Sequence, residues 1–114
     1  MCAVRRISWL QAALKDFKAF PAPVQVEIRR ALTVAAAGSK SDKAKPFKGV
    51  DSGVFEIALR HRGDAFRAIY AVQIGTEIWV IHAFQKKSKT GIKTSKTDVD
   101  LIRERLRRLK ELLR

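Results

Sequence analysis

The chain has 114 residues and a formal net charge of +13, because 24 lysines and arginines outnumber 11 aspartates and glutamates. A chain of this length closes one hydrophobic core, so residues 1–114 are expected to form a single domain. Its apolar runs are far shorter than the roughly 20 residues that span a bilayer, and the N-terminus lacks the apolar stretch of a secretory signal. We therefore expect a cytoplasmic protein without membrane contact.

The net positive charge predicts a polyanionic partner such as nucleic acid, a ribosome or an acidic protein. A basic surface that only confers solubility is the alternative that stays open.

The first part of the chain predicts a short strand and two helices. Val4–Ile7 favours a strand, and Ser8 and Gln11 have the spacing of a capping box that begins a helix. The proline-containing segment 20–23 ends that helix and begins the next, which ends at Gly38. Two helices packed as a hairpin are therefore expected.

The second part of the chain predicts a sheet and a terminal helix. Residues 39–48 are polar and rich in lysine, which indicates an exposed basic loop. Short glycine-containing turns separate three runs of strand-forming residues, which predicts an antiparallel meander; the runs are Val54–Arg60, Ala65–Val72 and Thr76–Phe84. An amphipathic helix with one apolar side and an otherwise basic surface begins near Thr97. The predicted fold class is α+β.

Arg67 interrupts an apolar run that is expected to form the middle strand. A guanidinium keeps its charge, so at such a position it must pair with an anion or face a cleft that binds one. A salt bridge to Glu56 on the neighbouring strand and a functional site in which Glu56 orients the arginine both stay open. Strand alternation places Ala58 and Arg60 on the same face, where small side chains leave room for a ligand.

His82 and the lysines that follow it form a second group of candidates. A histidine in an apolar run is more often a hydrogen-bonded core residue than a catalyst, and both roles stay open for His82. His61 is placed at a turn and is expected to be only solvated. Lys86 and Lys87 emerge from the end of the last strand into a basic loop, where a rigid sheet could position them against a substrate.

Metal chemistry has little support in the sequence. Cys2 is the only cysteine, which excludes an internal disulfide and a cysteine-based zinc cluster. The two histidines are far apart in sequence, and the carboxylates are scattered. We therefore expect neither a metal nor another cofactor.

Four motifs occur in order along the chain: KPFKGV at 45–50, GVFEI at 53–57, FRAIY at 66–70 and HAFQKK at 82–87. They resemble the K-P-L-K-G-L, G-x-x-E-L, Y-R-x-x-Y and H-x-F-x-K-K stretches of the phage-derived HigB-like toxins, within the RelE/ParE toxin superfamily. The resemblance implies a RelE-like α+β fold, with an N-terminal strand and helical hairpin, a three-stranded antiparallel meander and a C-terminal helix. Several motifs in order are more specific than any one of them.

The resemblance also implies a function and a set of residues. It implies ribosome-associated cleavage of messenger RNA, inhibition of translation, and neutralisation by a HigA-like antitoxin with a helix-turn-helix domain. Arg67 would stabilise charge on the scissile phosphate, Lys86 or Lys87 would contact it or act as acid, and His82 could act as base. The residues expected to bind substrate are Lys45, Lys48, Arg60, Arg62 and Lys89.

Two other functions remain compatible with the sequence. A ParE-like toxin of the same fold would inhibit DNA gyrase without catalytic residues, and the set of Arg67, His82 and the two lysines favours the nuclease over it. A non-catalytic RNA-binding module would be expected to expose aromatic side chains on the sheet for base stacking. The aromatic residues of this chain are mixed with aliphatic ones and are expected to lie mostly in the core.

Overall fold

A computed structural model describes residues 5–47, 50, 53–87 and 96–112. Its helices and strands are β1 (Ile7–Trp9), α1 (Gln11–Lys18), α2 (Ala22–Ala36), β2 (Ala44–Pro46), β3 (Val54–His61), β4 (Asp64–Ile74), β5 (Glu77–Lys87) and α3 (Lys96–Leu112). The strands form one sheet in the order β1-β5-β4-β3-β2, in which β1 is parallel to β5 and the other pairs are antiparallel. The predicted α+β fold, its helical hairpin and its meander are confirmed. None of the helices in the described part of the chain is long and apolar enough to cross a membrane.

The sheet separates two hydrophobic clusters. On one face, α1 and α2 pack against strand residues such as Ile57, Phe66 and Tyr70. On the other face, Ile102 and its apolar neighbours in α3 pack against Ile69 and other strand residues. Because successive strand residues point to opposite faces, each strand contributes to both clusters. The alternation also places Arg67 on the α3 face of the sheet.

The N-terminal region differs from its prediction. The strand lies at Ile7–Trp9, where it pairs with β5, rather than at Val4–Ile7, and Val4 lies outside the described residues. Ser8 is part of this strand and donates to the Glu77 carboxylate, so it does not cap α1, which begins after Leu10 without a side-chain cap. The capping-box prediction is wrong because parallel pairing with β5 fixes the backbone of residues 7–9 in an extended form.

The predicted basic loop at 39–48 contains a strand. Ala44–Pro46 pairs antiparallel with β3 at the edge of the sheet, and Ala44 is buried in the core. A lysine and a proline suit an edge strand, because they discourage further pairing. Gly38 ends α2 as predicted: its φ is 91°, and its N–H donates to the carbonyl of Ala35.

A β-bulge in β5 sets the positions of Ile81 and His82. Ile69 pairs with His82 and Tyr70 pairs with Val80, so Ile81 is an extra residue in β5. A bulge places two residues of one strand opposite one residue of its partner. As a result, Ile81 joins the α3-side cluster next to His82, and both residues are buried.

Candidate active site

The α3 face of the sheet ends in basic residues near the hairpin between β3 and β4. Arg67 lies opposite Ala58 in β3 and Phe84 in β5. One row closer to the hairpin, Arg60 lies opposite Ala65. Paired residues of neighbouring strands share a face, so Ala58 and Ala65 lie on the face of Arg60 and Arg67, where Ala65 is buried and Ala58 is partly buried.

Glu56 joins two basic residues on this face. Nη1 of Arg67 donates to Oε2 of Glu56 at 2.6 Å, and Nζ of Lys45 lies 3.9 Å from Oε1 of the same carboxylate. Arg67 and Glu56 are 8% and 3% exposed, whereas Lys45 lies in the open on the edge strand. The salt bridge that the sequence left open is therefore present. Lys45, Glu56, Arg60 and Arg67 are called the Arg67 cluster below.

The Arg67 cluster is suited to holding an anion. Three of its members are cations and one is a carboxylate, so its net charge is positive. A guanidinium has five N–H donors in a planar fork, and the contact of Arg67 Nη1 with Glu56 fixes the plane of that fork. Fixed donors stabilise developing charge well, because they need no reorganisation during the reaction.

The two lysines at the end of β5 occupy different faces of the sheet. Lys86 pairs with Ala65, on the face of Arg67, and Lys87 pairs with Asp64, on the opposite face. The backbone of both residues is described, but their side chains lie outside the described part. Lys48 and Lys89, which were expected to bind substrate, also lie outside the described residues. The register therefore brings only the Lys86 position next to the Arg67 cluster.

His82 is held on both sides of its ring. Nε2 lies 3.1 Å from Oδ1 of Asp98, and Nη1 of Arg105 lies 3.1 Å from Nδ1. Arginine can only donate, so Nδ1 must accept, and the ring is neutral with its proton on Nε2. The imidazole is 4% exposed and stacks on Phe84 with 4.8 Å between ring centroids. Arg105 also donates to the carbonyl of Ile81, the extra residue of the bulge, at 3.0 Å.

Burial lowers the pKa of His82, and the nearby Arg105 acts in the same direction. The hydrogen bond to Asp98 and the negative charges of Asp98 and Asp16 act against this shift. The result is an imidazole that stays neutral and joins β5 to α3. This geometry favours the core role of His82, because a base would first have to give up Arg105 or Asp98.

Asp98 and Arg105 are site residues that sequence reasoning missed. They are seven positions apart, about two helical turns, and each lies three or four residues from the buried Ile102. Polar residues at that spacing beside an apolar stripe are a signal that they border the buried face. Their partner could not be identified from sequence, because the bulge that places His82 toward α3 leaves no clear pattern.

The remaining predicted residues lie around the hairpin between β3 and β4. Arg60 is exposed at the end of β3. Arg62 lies in the two-residue turn that follows and is also exposed. His61 was expected to be only solvated, but it is partly buried and packs edge-on against Phe66, with 6.5 Å between ring centroids. This end of the sheet therefore combines basic side chains with an aromatic surface.

A family model described as "Phage derived protein Gp49-like (DUF891)" matches residues 15–107. The chain belongs to this Gp49-like family. The match runs from within α1 to within α3, so it includes the Arg67 cluster and His82. No curated protein sequence matches the chain.

Two solved structures share the fold of this Gp49-like chain. The isolated RelE toxin of E. coli is 17% identical, with a TM-score of 0.58, and the alignment covers 88% of this chain and 97% of that one. The RelBE2 toxin–antitoxin complex of Mycobacterium tuberculosis contains a chain that is 13% identical, with a TM-score of 0.52, covering 77% of this chain and 98% of that one. These similarities establish a RelE-like fold.

Proposed function

We propose that this Gp49-like protein is the toxin of a type II toxin–antitoxin system and a metal-independent endoribonuclease that cuts messenger RNA on the ribosome. The observation that carries the proposal is the placement of Lys45, Arg60 and Arg67 on one face of the sheet, where the Glu56 carboxylate contacts both Lys45 and Arg67. The toxin-like motifs, the RelE-like fold and the net charge of +13 support it. Because the proposed substrate is messenger RNA on the ribosome, we expect the protein to act in the cytoplasm.

The reaction is feasible with side chains alone. The 2′-hydroxyl of the RNA attacks the adjacent phosphate while a base accepts its proton, and the bond to the leaving 5′-oxygen breaks as an acid protonates that oxygen. The phosphorane formed between these steps carries extra negative charge, and fixed cations lower its free energy. The Arg67 cluster supplies such cations on a rigid sheet.

We assign different roles to the basic residues on the basis of their positions in the sheet. Arg67, oriented by Glu56, stabilises the phosphorane, and Lys45 and Arg60 contact phosphates on either side. Lys86 shares the face of Arg67 and contacts the phosphate or protonates the leaving oxygen. Lys87, on the other face, contacts RNA away from the cut. Neighbouring cations lower the pKa of a lysine, which favours such acid chemistry.

His82 has a supporting role in this proposal. Its two ring nitrogens are bonded to Asp98 and Arg105, so it holds α3 against the sheet and fixes Phe84 beside Arg67. Proton removal from the 2′-hydroxyl is assigned to the ribosome-bound complex rather than to His82. The base role of His82 is tested separately in the Discussion.

An antitoxin partner is part of the proposal. The RelBE2 structure is a toxin–antitoxin complex of the same fold, and the motifs resemble toxins that helix-turn-helix antitoxins neutralise. We expect a small helix-turn-helix protein encoded beside this chain to form a stable complex with it and to block RNA cleavage. Co-purification of the two proteins, followed by a cleavage assay of the complex, tests this. RNA cleavage that continues in the presence of excess partner would contradict neutralisation by this antitoxin.

The nuclease proposal is tested by mapping transcript ends. Primer extension on messenger RNA from cells that express the wild type should show discrete cuts. Loss of a fixed cation at developing charge costs roughly 10²-fold or more in rate, so Arg67→Ala should abolish the cuts. Arg67→Lys should restore them only in part, because lysine lacks the planar fork. Arg30→Ala on α2, which removes an exposed arginine, is the matched control.

A folded but inactive variant is needed to interpret this result. Arg67→Ala leaves Glu56 buried beside no arginine, so it could fail to fold. The double variant Arg67→Gln with Glu56→Gln removes both charges and keeps a hydrogen-bonding pair, and circular dichroism checks its folding. Intact transcripts during wild-type growth arrest, together with inhibited gyrase supercoiling, would overturn the nuclease proposal in favour of a ParE-like toxin.

A further inference from the structure

A pocket of about 290 Å³ lies on the face of the sheet that α1 and α2 cover, at the end away from the β3–β4 hairpin. Phe55 in β3 and Tyr70 and Val72 in β4 form its strand side, and the end of α2 with residues 38–40 forms the other side. Arg5, which precedes β1, completes the lining. The Arg67 cluster lies on the opposite face of the sheet, so this pocket is a separate site.

The strand side of the pocket is apolar. The ring of Phe55 stacks on that of Tyr70, with 5.5 Å between the centroids and 16° between the planes. Tyr70 is only 1% exposed, so it supports Phe55 from behind and offers no surface of its own. Phe55 and Val72 are both partly exposed. These two side chains therefore supply the apolar surface that a ligand can cover.

Two cations stand at the rim of the pocket, and a backbone carbonyl group holds each of them. Nη1 of Arg5 donates to the carbonyl oxygen of Val72, and Nζ of Lys40 donates to that of Ala44 at 3.0 Å. Each contact uses one donor, whereas a guanidinium has five and an ammonium has three. Within the described part of the chain neither cation pairs with a carboxylate, and no acidic residue lines the pocket. Both side chains are thus positioned and retain donors for a ligand.

The C-terminal end of α2 also lies at this pocket, and its partial charge is negative. The carbonyl groups of Ala35 and Ala36 accept from the N–H groups of Gly38 and Arg5, at 3.0 and 2.9 Å. The end of a helix carries roughly half an elementary charge, whereas Arg5 and Lys40 carry a full positive charge each. The net potential of the pocket is therefore positive, and it attracts an anion.

We infer that this pocket binds a small phosphate monoester with an apolar organic part, whose phosphate group lies between Arg5, Lys40 and Ser39 while the organic part covers Phe55 and Val72. A phosphate monoester has three strong acceptor oxygens, and the rim offers three kinds of donor: a guanidinium, an ammonium and a hydroxyl. The volume is at the lower end of the range for small-molecule sites, roughly 300–1,000 Å³, which suits an organic part of about one ring. The inference goes beyond RNA cleavage and does not depend on it.

An NMR titration of the ¹⁵N-labelled full-length chain with phenyl phosphate tests the pocket. Salt at about 150 mM screens non-specific attraction to the basic surface, and shifts are expected at the amides of residues 38–40 and Val72. Phenyl phosphate should bind about tenfold more tightly than inorganic phosphate, which lacks the ring, and than benzyl alcohol, which lacks the charge. Benzoate, with two acceptor oxygens, should bind less tightly than phenyl phosphate. Equal affinity for inorganic phosphate, or shifts spread over the whole basic surface, would overturn the inference.

Two variants connect this binding to the cations of the rim. Arg5→Gln and Lys40→Gln remove a charge and keep a side-chain N–H donor, and each should weaken phenyl phosphate binding about tenfold or more, as expected for a lost charged hydrogen bond. Arg6→Gln and Lys43→Gln are the matched controls, because both residues are exposed neighbours that do not line the pocket. Their affinities should stay close to that of the wild type. Equal weakening in variants and controls would show non-specific attraction and overturn the inference.

The Arg67 cluster is the competing site for a phosphate group. The double variant Lys45→Gln with Arg60→Gln removes its two exposed cations, and it should bind phenyl phosphate as the wild type does. Loss of binding in this double variant would place the ligand at the Arg67 cluster and overturn the inference. A ligand that binds only the folded chain raises its Tm, so thermal unfolding gives a second readout. Phenyl phosphate should raise the Tm of the wild type and of Lys43→Gln more than that of Lys40→Gln, which decides the result if Arg5→Gln does not fold; equal increases would contradict the site.

Discussion

Nη1 of Arg67 lies 2.6 Å from Oε2 of Glu56, across the boundary between β4 and β3. Both side chains are almost fully buried. Removing charges from water costs several kcal/mol for each ion, and a buried pair recovers this only with good geometry. Such a pair is therefore weak evidence for stability. It is better explained as a device that holds a guanidinium in a fixed orientation at the edge of a cationic surface.

The first prediction concerns the cost of breaking this pair. Glu56→Ala should lower the free energy of unfolding by about 3–5 kcal/mol, because it leaves a buried guanidinium without its carboxylate. Glu27→Ala, which breaks an exposed ion pair with Arg30 on α2, should cost less than about 1 kcal/mol. Urea unfolding followed by circular dichroism measures both. Similar losses for the two variants would show that Arg67 does not depend on Glu56.

The second prediction separates the two lysines at the end of β5. Lys86 pairs with Ala65 on the Arg67 face, and Lys87 pairs with Asp64 on the other. Lys86→Ala should therefore reduce cleavage by roughly 10²-fold, as expected for a group that acts on developing charge. Lys87→Ala should weaken RNA binding without lowering the single-turnover rate at saturating protein. Equal losses of that rate would contradict the division of roles, and no loss in Lys86→Ala would remove that lysine from the site.

The third prediction uses the lowered pKa of His82. Burial and Arg105 lower this pKa, while Asp98 and Asp16 oppose the shift. An unfolded histidine titrates near about 6.5, so below that pH the unfolded chain binds a proton that the folded chain resists. Wild-type stability should therefore fall between about pH 7 and about pH 5 more steeply than the stability of His82→Gln.

Urea unfolding at several pH values compares the two proteins, and the difference between them cancels the titration of other groups. Asp98→Asn removes the carboxylate that bonds to His82 and leaves Asp16 in place, so the pKa of His82 should be lower in this variant than in the wild type. Parallel pH profiles for wild type and His82→Gln would contradict the neutral buried imidazole. A folded His82→Gln that no longer cuts RNA would support the base role that the sequence left open.

Most of the fold could be predicted from the sequence because periodicity reports burial directly. The stripe of α2, with Val24, Ile28 and Leu32, is buried as expected, and the three strands of the meander lie where their residue types place them. The sequence pattern places the N-terminal strand a few residues too early, and it does not indicate β2. Both are three residues long and gain their structure from pairing with a distant strand, which a local pattern does not encode.

The candidate site was only partly predictable, for a related reason. Arg67 and Glu56 stand out because charged residues interrupt apolar runs, and alternation places them on one face. The contacts of His82 depend on a bulge and on the packing of α3, so Asp98 and Arg105 could not be assigned to it.

The fourth prediction concerns Arg62, which adopts the left-handed conformation, with a φ of 52°, in the turn between β3 and β4. Arg62→Asn places the preferred residue in the type I′ turn, so it should raise the free energy of unfolding by about 1 kcal/mol. It should also weaken binding of single-stranded RNA and lower the slope of log affinity against log salt by about 1, because one phosphate contact is lost.

Arg60→Asn, at a strand position of the same sheet end, is the control: it should weaken RNA binding without a gain in stability. Urea unfolding and fluorescence anisotropy at several salt concentrations measure the two effects. If Arg62→Asn were more stable and bound RNA as tightly as the wild type, the strain at Arg62 would have no role in RNA binding.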